Sequence, residues 1–121
     1  MTSHRRGDIY LVEFDPARGH EIRKTRPALI IQNDVGNKYS PVTIVAAITS
    51  KLSTVAYPVE VVVTPAKANG LSAVSAIQLN QIRTVDSRRL VKRLGEADAA
   101  TMRAVDEAIK ISVGLVALGP L

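Results

Sequence analysis

A chain of 121 residues, 46% hydrophobic and 22% charged, is long enough to close one hydrophobic core and too apolar to stay disordered, so a single domain spanning 1–121 is expected. With 16 Lys and Arg against 11 Asp and Glu the net charge is +5, which favours a polyanionic partner, while Tyr10, Tyr39, Tyr57 and Phe14 are too few aromatic rings for a grip built on base stacking. The absence of cysteine excludes disulfides and thiol catalysis.

Residues 1–7 are polar and basic with no apolar run behind them, which predicts no signal peptide, a frayed terminus around His4 and a cytoplasmic location. Residues 8–14 alternate Ile9, Leu11 and Glu13 with Tyr10, Val12 and Phe14, the period of a strand, and Asp15-Pro16 ends it. After a charged loop over 17–25, the apolar run over 28–32 reads as a strand buried on both faces. Asn33-Asp34 and Gly36-Asn37 leave room for one helical turn at most, and Ser40-Pro41 launches a strand over 42–49. Residues 50–56 form a small, polar loop; Tyr57-Pro58 opens a strand over 59–64 that Pro65 stops.

A turn at Asn69-Gly70 leads to a strand over 75–79, and a further strand over 81–85 follows the polar Asn80. Asp86-Ser87 reads as the cap of a short basic turn through Leu90. Asp98 caps the last helix, where Met102, Val105, Ile109, Val113 and Val116 form one apolar stripe and Ala104, Ala108, Ile111, Leu115 and Leu118 a second. Two stripes are more than a small domain covers by itself, which suggests a helix packed on the sheet with surface left for a partner subunit. Six short strands without a crossover helix between them, followed by one terminal helix, predict a mainly β protein: a small barrel with short helices and a C-terminal α-helix.

The segment Gly19-His20-Glu21-Ile22-Arg23-Lys24-Thr25-Arg26-Pro27 carries too many charges for the core, so it is a surface loop pinned by the strand that follows it. Pro27 fixes its own φ and pushes Arg26 towards an extended conformation, aiming that side chain from the mouth of a strand. Arg26 is therefore the centre of the candidate site. The chain has no glycine-rich phosphate loop, zinc-ligand spacing, carboxylate pair for two metals or serine in a nucleophile elbow, so neither metal nor cofactor is expected.

What remains is a cationic site with hydroxyls and amides: Arg26, Thr25, Thr49, Ser50, Gln78, Asn80, Gln81 and Arg83. Lys51 opens a loop positioned to read bases, and Arg88 belongs to a second basic segment over 83–93 that would complete a phosphate-binding face if the fold joined it to the first. Such groups suit a phosphodiester. Cutting RNA through its own 2′-hydroxyl needs a proton acceptor, a donor for the leaving 5′-oxygen, and positive charge on the transition state. His20 and Glu21 are the candidate acceptors.

The runs Arg6-Gly7-Asp8-Ile9-Tyr10, Gly19-His20-Glu21, Thr25 to Asp34, Ile44 to Thr49, and Gln81-Ile82-Arg83-Thr84-Val85-Asp86 resemble, in order, those of the MazF/PemK toxins of type II toxin-antitoxin systems. That resemblance implies an SH3-like barrel, a homodimer, metal-independent cleavage of single-stranded RNA at a short sequence, and an acidic, partly disordered MazE-like antitoxin that blocks the groove. It also implies catalysis by Arg26 and Thr49 in the MazF manner. The PemK manner would use His20 with an arginine and an aspartate where this chain has Gln78 and Asn80. A gyrase poison on the same barrel, or a barrel that only binds RNA, is the alternative function.

Overall fold

Alternation of period two divides the strands between two cores. In the computed structural model, which describes residues 3–14, 25–55 and 57–117, Ile9, Leu29, Ala46, Ile48, Ile77 and Leu79 are buried in one cluster, and Tyr10, Val12, Phe14, Ala28, Ile30 and Val45 in another. Their strands are β1 (Asp8–Glu13), β2 (Thr25–Ile30), β3 (Val42–Thr49), β4 (Glu60–Val63), β5 (Ser75–Asp86) and β6 (Leu90–Glu96). They form one antiparallel sheet in the order β4-β5-β3-β2-β1-β6. Helix α1 (Asp34–Tyr39) joins β2 to β3, and α2 (Ala99–Ser112) packs on β4 and β5 with Val105 and Ala108 buried in the first cluster.

The caps expected at Asp86 and Asp98 form, and Asn33 adds a third. Asn33 accepts from the Gly36 amide, Asp86 from Arg88 and Asp98 from Thr101, each meeting a helical N–H that has no partner inside its own turn. A hydrogen-bonded amide network, Gln32 to Asn37 at 3.1 Å and Thr43 to Asn37 at 2.7 Å, ties α1 to β3 under cover from water. This stretch holds six helical residues rather than the single turn expected at most.

The assignment of elements changes in four places, the first being β2, which runs over Thr25–Ile30 rather than 28–32 and takes in the end of the expected loop. The stretches over 75–79 and 81–85 are one strand of 12 residues, because the break at Asn80 is a β-bulge: Ala46 pairs with Ile82 and the adjacent Ala47 with Gln78. The sixth strand is instead β6, whose Lys92 and Arg93 are exposed, as suits the edge of a sheet. The last helix stops at Ser112, so Val113, Leu115 and Val116, at 56%, 75% and 45% exposure, lie beyond it and do not continue its stripes. Leu118 is outside the described residues.

The two sheet edges, β4 and β6, do not pair with each other, so strand hydrogen bonds do not close a barrel. The turn that follows β4 nevertheless crosses β6 at close range. Glu96 N donates to Ala68 O at 2.9 Å, and both backbones are glycine at the crossing: a Cβ on Gly70 would meet Leu94 O at 2.1 Å, and one on Gly95 would meet Ala68 O at 2.2 Å. The side chain of Asn69 holds the turn, accepting from the Ala66 and Leu71 amides and donating to Thr64 O. The N-terminal segment is equally tied. Arg5 N donates to Asp8, Arg6 N to Asp34 and Gly7 N to Ile30 O, so His4, expected to fray, is 5% exposed.

Candidate functional site

Pro27 lies in β2 ahead of the point where the β2–β3 ladder begins at Ala28 and Ala47, so on that side its missing N–H costs no strand bond. Thr25 and Arg26, two and one residues before it, are exposed. Carried two residues past its last pair, the β2–β3 register sets Arg26 across from Thr49, the final residue of β3. Both side chains then share the face of Ala28 and Ala47, because i and i+2 in a strand point the same way. Arg26 makes no ion pair with any carboxylate among the described residues. Thr49 Oγ1 accepts from Lys51 N at 3.1 Å, which fixes the hydroxyl at the strand end and keeps its proton as a donor.

Gln78 pairs with Ala47 across β3 and β5, so it stands on the same face, in the row next to Arg26 and Thr49. The bulge beside it lifts Asn80 and Gln81 to exposed positions, and Leu79 O at the bulge accepts from Ser112 Oγ at 2.7 Å, which anchors the end of α2 there. Arg83 pairs with Val45 and lies on this face too. Its guanidinium sits 5.3 Å from the centre of the Phe14 ring, with a weak contact of 3.5 Å to Phe14 O. Ser50 and Lys51 are exposed where the loop after β3 begins.

Glu60 is a site residue that reading the sequence did not single out. It pairs with Gln78 on β4 and accepts from Ser53 Oγ at 3.3 Å, so it brings a carboxylate onto the same face and ties down the loop after β3. Its position follows from the β4–β5 register. Phe14, as the platform under Arg83, is the other; a contact between residues 69 apart leaves no local signal.

Arg88 is not part of this group. Val42, at the far end of β3, pairs with Asp86, and seven strand steps separate Val42 from Thr49, about 23 Å. There Arg88 grips Asp86 through Nε at 3.0 Å and Nη2 at 2.9 Å, and this bidentate bond holds the Asp86 carboxyl down at about 2. Arg89 bonds Glu13 O at 3.2 Å, and Arg93 bonds Asp8 at 3.2 Å and Glu96 at 3.5 Å. The second basic segment is thus mostly engaged by neighbouring acids and carbonyls instead of forming one face with Arg26. His20 and Glu21, with Arg18, Arg23 and Lys24, lie outside the described residues. Among the described residues no three His, Asp or Glu side chains gather closely enough to hold a metal ion.

A family model for the PemK-like, MazF-like toxin of type II toxin-antitoxin systems matches residues 5–113. The chain belongs to this toxin family. It is similar to Endoribonuclease EndoA of Bacillus subtilis (strain 168), with 43% identity over 112 residues that cover 93% of this chain and 96% of that protein. Among solved structures, the MazE-MazF complex (Form-II) of Deinococcus radiodurans superposes with a TM-score of 0.78 at 27% identity, covering 96% of this chain and 100% of that one. An endoribonuclease in complex with its cognate antitoxin from a mycobacterial species gives a TM-score of 0.75 at 23% identity over 95% of this toxin chain and 99% of that chain, a likeness of fold.

Proposed function

We propose that this toxin is a metal-independent endoribonuclease that cuts single-stranded RNA, mRNA in the cell, at the open end of β2 and β3, and so halts translation and growth. What supports this reading is the β2–β3 register, which when carried past its last pair, Ala28 with Ala47, sets Arg26 opposite Thr49 in a chain similar to a named endoribonuclease. The 2′-oxygen attacks the adjacent phosphorus and loses its proton to an acceptor, for which His20 and Glu21 are the candidates. The P–O5′ bond breaks, the 5′-oxygen takes up a proton, and the products are a 2′,3′-cyclic phosphate and a 5′-hydroxyl. The Arg26 guanidinium stabilises the charge that builds on the phosphorane, and the Thr49 hydroxyl donates to one of its oxygens. Thr25, Ser50, Lys51, Gln78, Asn80, Gln81 and Arg83 hold the strand on either side of the cut; an RNA long enough to span the sheet would also meet Arg88.

The partner follows from charge and from the MazE-MazF relative: an acidic, partly disordered antitoxin segment laid over the cationic strand end. The apolar residues past α2, Val113, Leu115 and Val116, suit a homodimer, which light scattering at micromolar concentration should report as twice the 13.0 kDa chain mass. No helix among the described residues is long and apolar enough to cross a membrane, and an RNA substrate sets the site of action in the cytoplasm. The curled sheet, with its 66–70 turn laid across β6, works as an SH3-like barrel within a single toxin domain spanning 1–121.

The test is incubation of the pure protein with long single-stranded RNA in EDTA, followed by analysis of the ends. Cyclic phosphate and 5′-hydroxyl ends are expected, and a 2′-deoxy residue at the cut should protect. Intact RNA would favour a non-catalytic toxin, and 5′-phosphate ends would rule out attack by the 2′-hydroxyl.

A further inference from the structure

The end of the sheet away from Arg26 carries a second concavity, beside Arg88, that takes no part in the cleavage step itself. A cleft of about 900 Å³ is lined by the N-terminal segment, α1 and the 3₁₀ turn (Ser87–Arg89), with His4, Arg5, Lys38, Pro41, Ser87 and Leu90 on its walls. Among the described residues, only three buried side-chain nitrogen or oxygen atoms lack a hydrogen-bond partner: Nδ1 and Nε2 of His4, and Oγ of Ser87. All three belong to residues of this one cleft. Enclosing an imidazole and a hydroxyl without any partner is unfavourable, and a folded chain that keeps both at one place has a use for them there.

We propose that this cleft binds a phosphate group carried on a molecule of nucleotide size. His4, Ser87, Arg5 and Lys38 bring donors from three segments, which suits a phosphate group with its several acceptor oxygens. The neighbouring acids cancel them only in part, Asp34 offsetting some of the Arg5 charge while no described carboxylate pairs with Lys38. Asp34 already accepts from Arg6 N at 2.7 Å and Asn37 Nδ2 at 3.1 Å, and Asp86 is matched by Arg88. Pro41 and Leu90 supply an apolar wall against which a base or sugar can lie, and the cleft falls in the size range of small-molecule sites. Because these polar atoms are enclosed, binding requires the His4 ring and the Ser87 hydroxyl to turn towards the ligand. The distance of about 23 Å along β3 keeps this site apart from the scissile phosphate.

The experiment is a titration of the isotope-labelled full chain by NMR with inorganic phosphate and with uridine 5′-monophosphate, against chloride at matched ionic strength. Saturable shifts are expected at His4, Lys38 and Ser87, with the Thr49 and Lys51 amides unmoved. His4→Leu and Lys38→Ala should each weaken the half-saturation point about tenfold. His4→Leu should also keep or raise the melting temperature, since it removes two unpartnered buried nitrogens, so loss of binding cannot be ascribed to unfolding. A 5′-phosphorylated RNA with a 2′-deoxy cut site that shifts His4 where its dephosphorylated twin does not would identify an RNA end as the source. Saturation by the mononucleotide alone would identify a free nucleotide. Shifts reproduced by chloride, shifts unchanged in His4→Leu, or no saturable shift would each overturn the site.

Discussion

If Arg26 and Thr49 act on one phosphate, removing both should cost hardly more than removing the worse of the two. The structure separates this from an effect on folding. Arg26 is exposed at the mouth of β2 and pairs with no described carboxylate, so Arg26→Ala should change stability by no more than about 0.5 kcal/mol. Thr49→Val keeps the shape but removes the acceptor for Lys51 N, a loss of about 1 kcal/mol and about 3–5 °C in melting temperature for a domain of this size. Each variant therefore stays folded. In the cleavage step, loss of one stabiliser of the transition state should lower the rate by about 10² to 10³, or about 3–4 kcal/mol. Independent groups would multiply to about 10⁴ to 10⁶ in the double variant, whereas two groups on one phosphorane should give a loss close to that of the worse single change. Single-turnover cleavage of a long mRNA in EDTA, alongside melting curves, measures all four corners of the cycle. Thr49→Val that cuts within threefold of the unaltered protein, while melting lower as calculated, would make Thr49 a turn-former and refute the reasoning. Fully multiplicative losses would refute the shared phosphate.

Arg26→Lys keeps the charge but removes the planar fork that can hold two phosphate oxygens, so it should lose most of the cleavage rate and little RNA affinity, read by comparing single-turnover rates with filter binding. Gly95→Ala should destabilise the fold by roughly 2–4 kcal/mol in urea unfolding, since its Cβ would fall 2.2 Å from Ala68 O and push the turn over 66–70 off β6. Acid should weaken the fold through three carboxylates: Asp34 is held low by the Arg6 amide, Asp86 by the Arg88 guanidinium and Asp98 by the Thr101 amide. Their folded-state pKa values lie below the unfolded ones, so their stabilisation is present above the usual carboxylate range and is lost as pH falls through it, for Asp86 towards about 2. The urea midpoint should therefore drop between pH 5 and pH 2, and Asp98→Ser, which keeps an N-cap without a titrating group, should flatten that drop.

The parts of the fold that showed in the sequence are those where local pattern and burial agree. Alternation over 8–14 became β1, and the apolar run before Asn33 located β2 through its residues 28–30, because each residue's side is set by its neighbours two positions away. The sixth strand did not show, because β6 is a sheet edge whose exposed Val91, Lys92 and Arg93 carry no alternation that a core would impose. Asn80 read as a break for the opposite reason. A bulge puts polar, exposed residues inside a continuous strand, and only the pairing of Ala46 and Ala47 reveals the continuity.

Charge was the least reliable guide to the site. Counting cations groups Arg83 to Arg93 with Arg26, yet a cation contributes to a phosphate site only with the charge its neighbours leave it. Arg88 faces Asp86 across a bidentate bond, Arg93 faces Asp8 and Glu96, and Arg89 lies 4.0 Å from Glu13. Arg88–Asp86 and Arg93–Glu96 are local, but the pairings of Arg93 with Asp8 and of Arg89 with Glu13 appear only when β1 is brought beside β6 and the turn before it, since Asp8 and Arg93 are 85 residues apart. Arg26 is different because Pro27 fixes its direction locally and the strand end leaves it exposed, two facts that lie within a few residues of each other. The same contrast applies to His4. A terminal histidine reads as solvent-exposed, but the backbone bonds of Arg5, Arg6 and Gly7 fold it under cover. The net charge of +5 therefore sets the sign of the partner, while the place where the partner is held depends on which few donors the fold leaves unmatched.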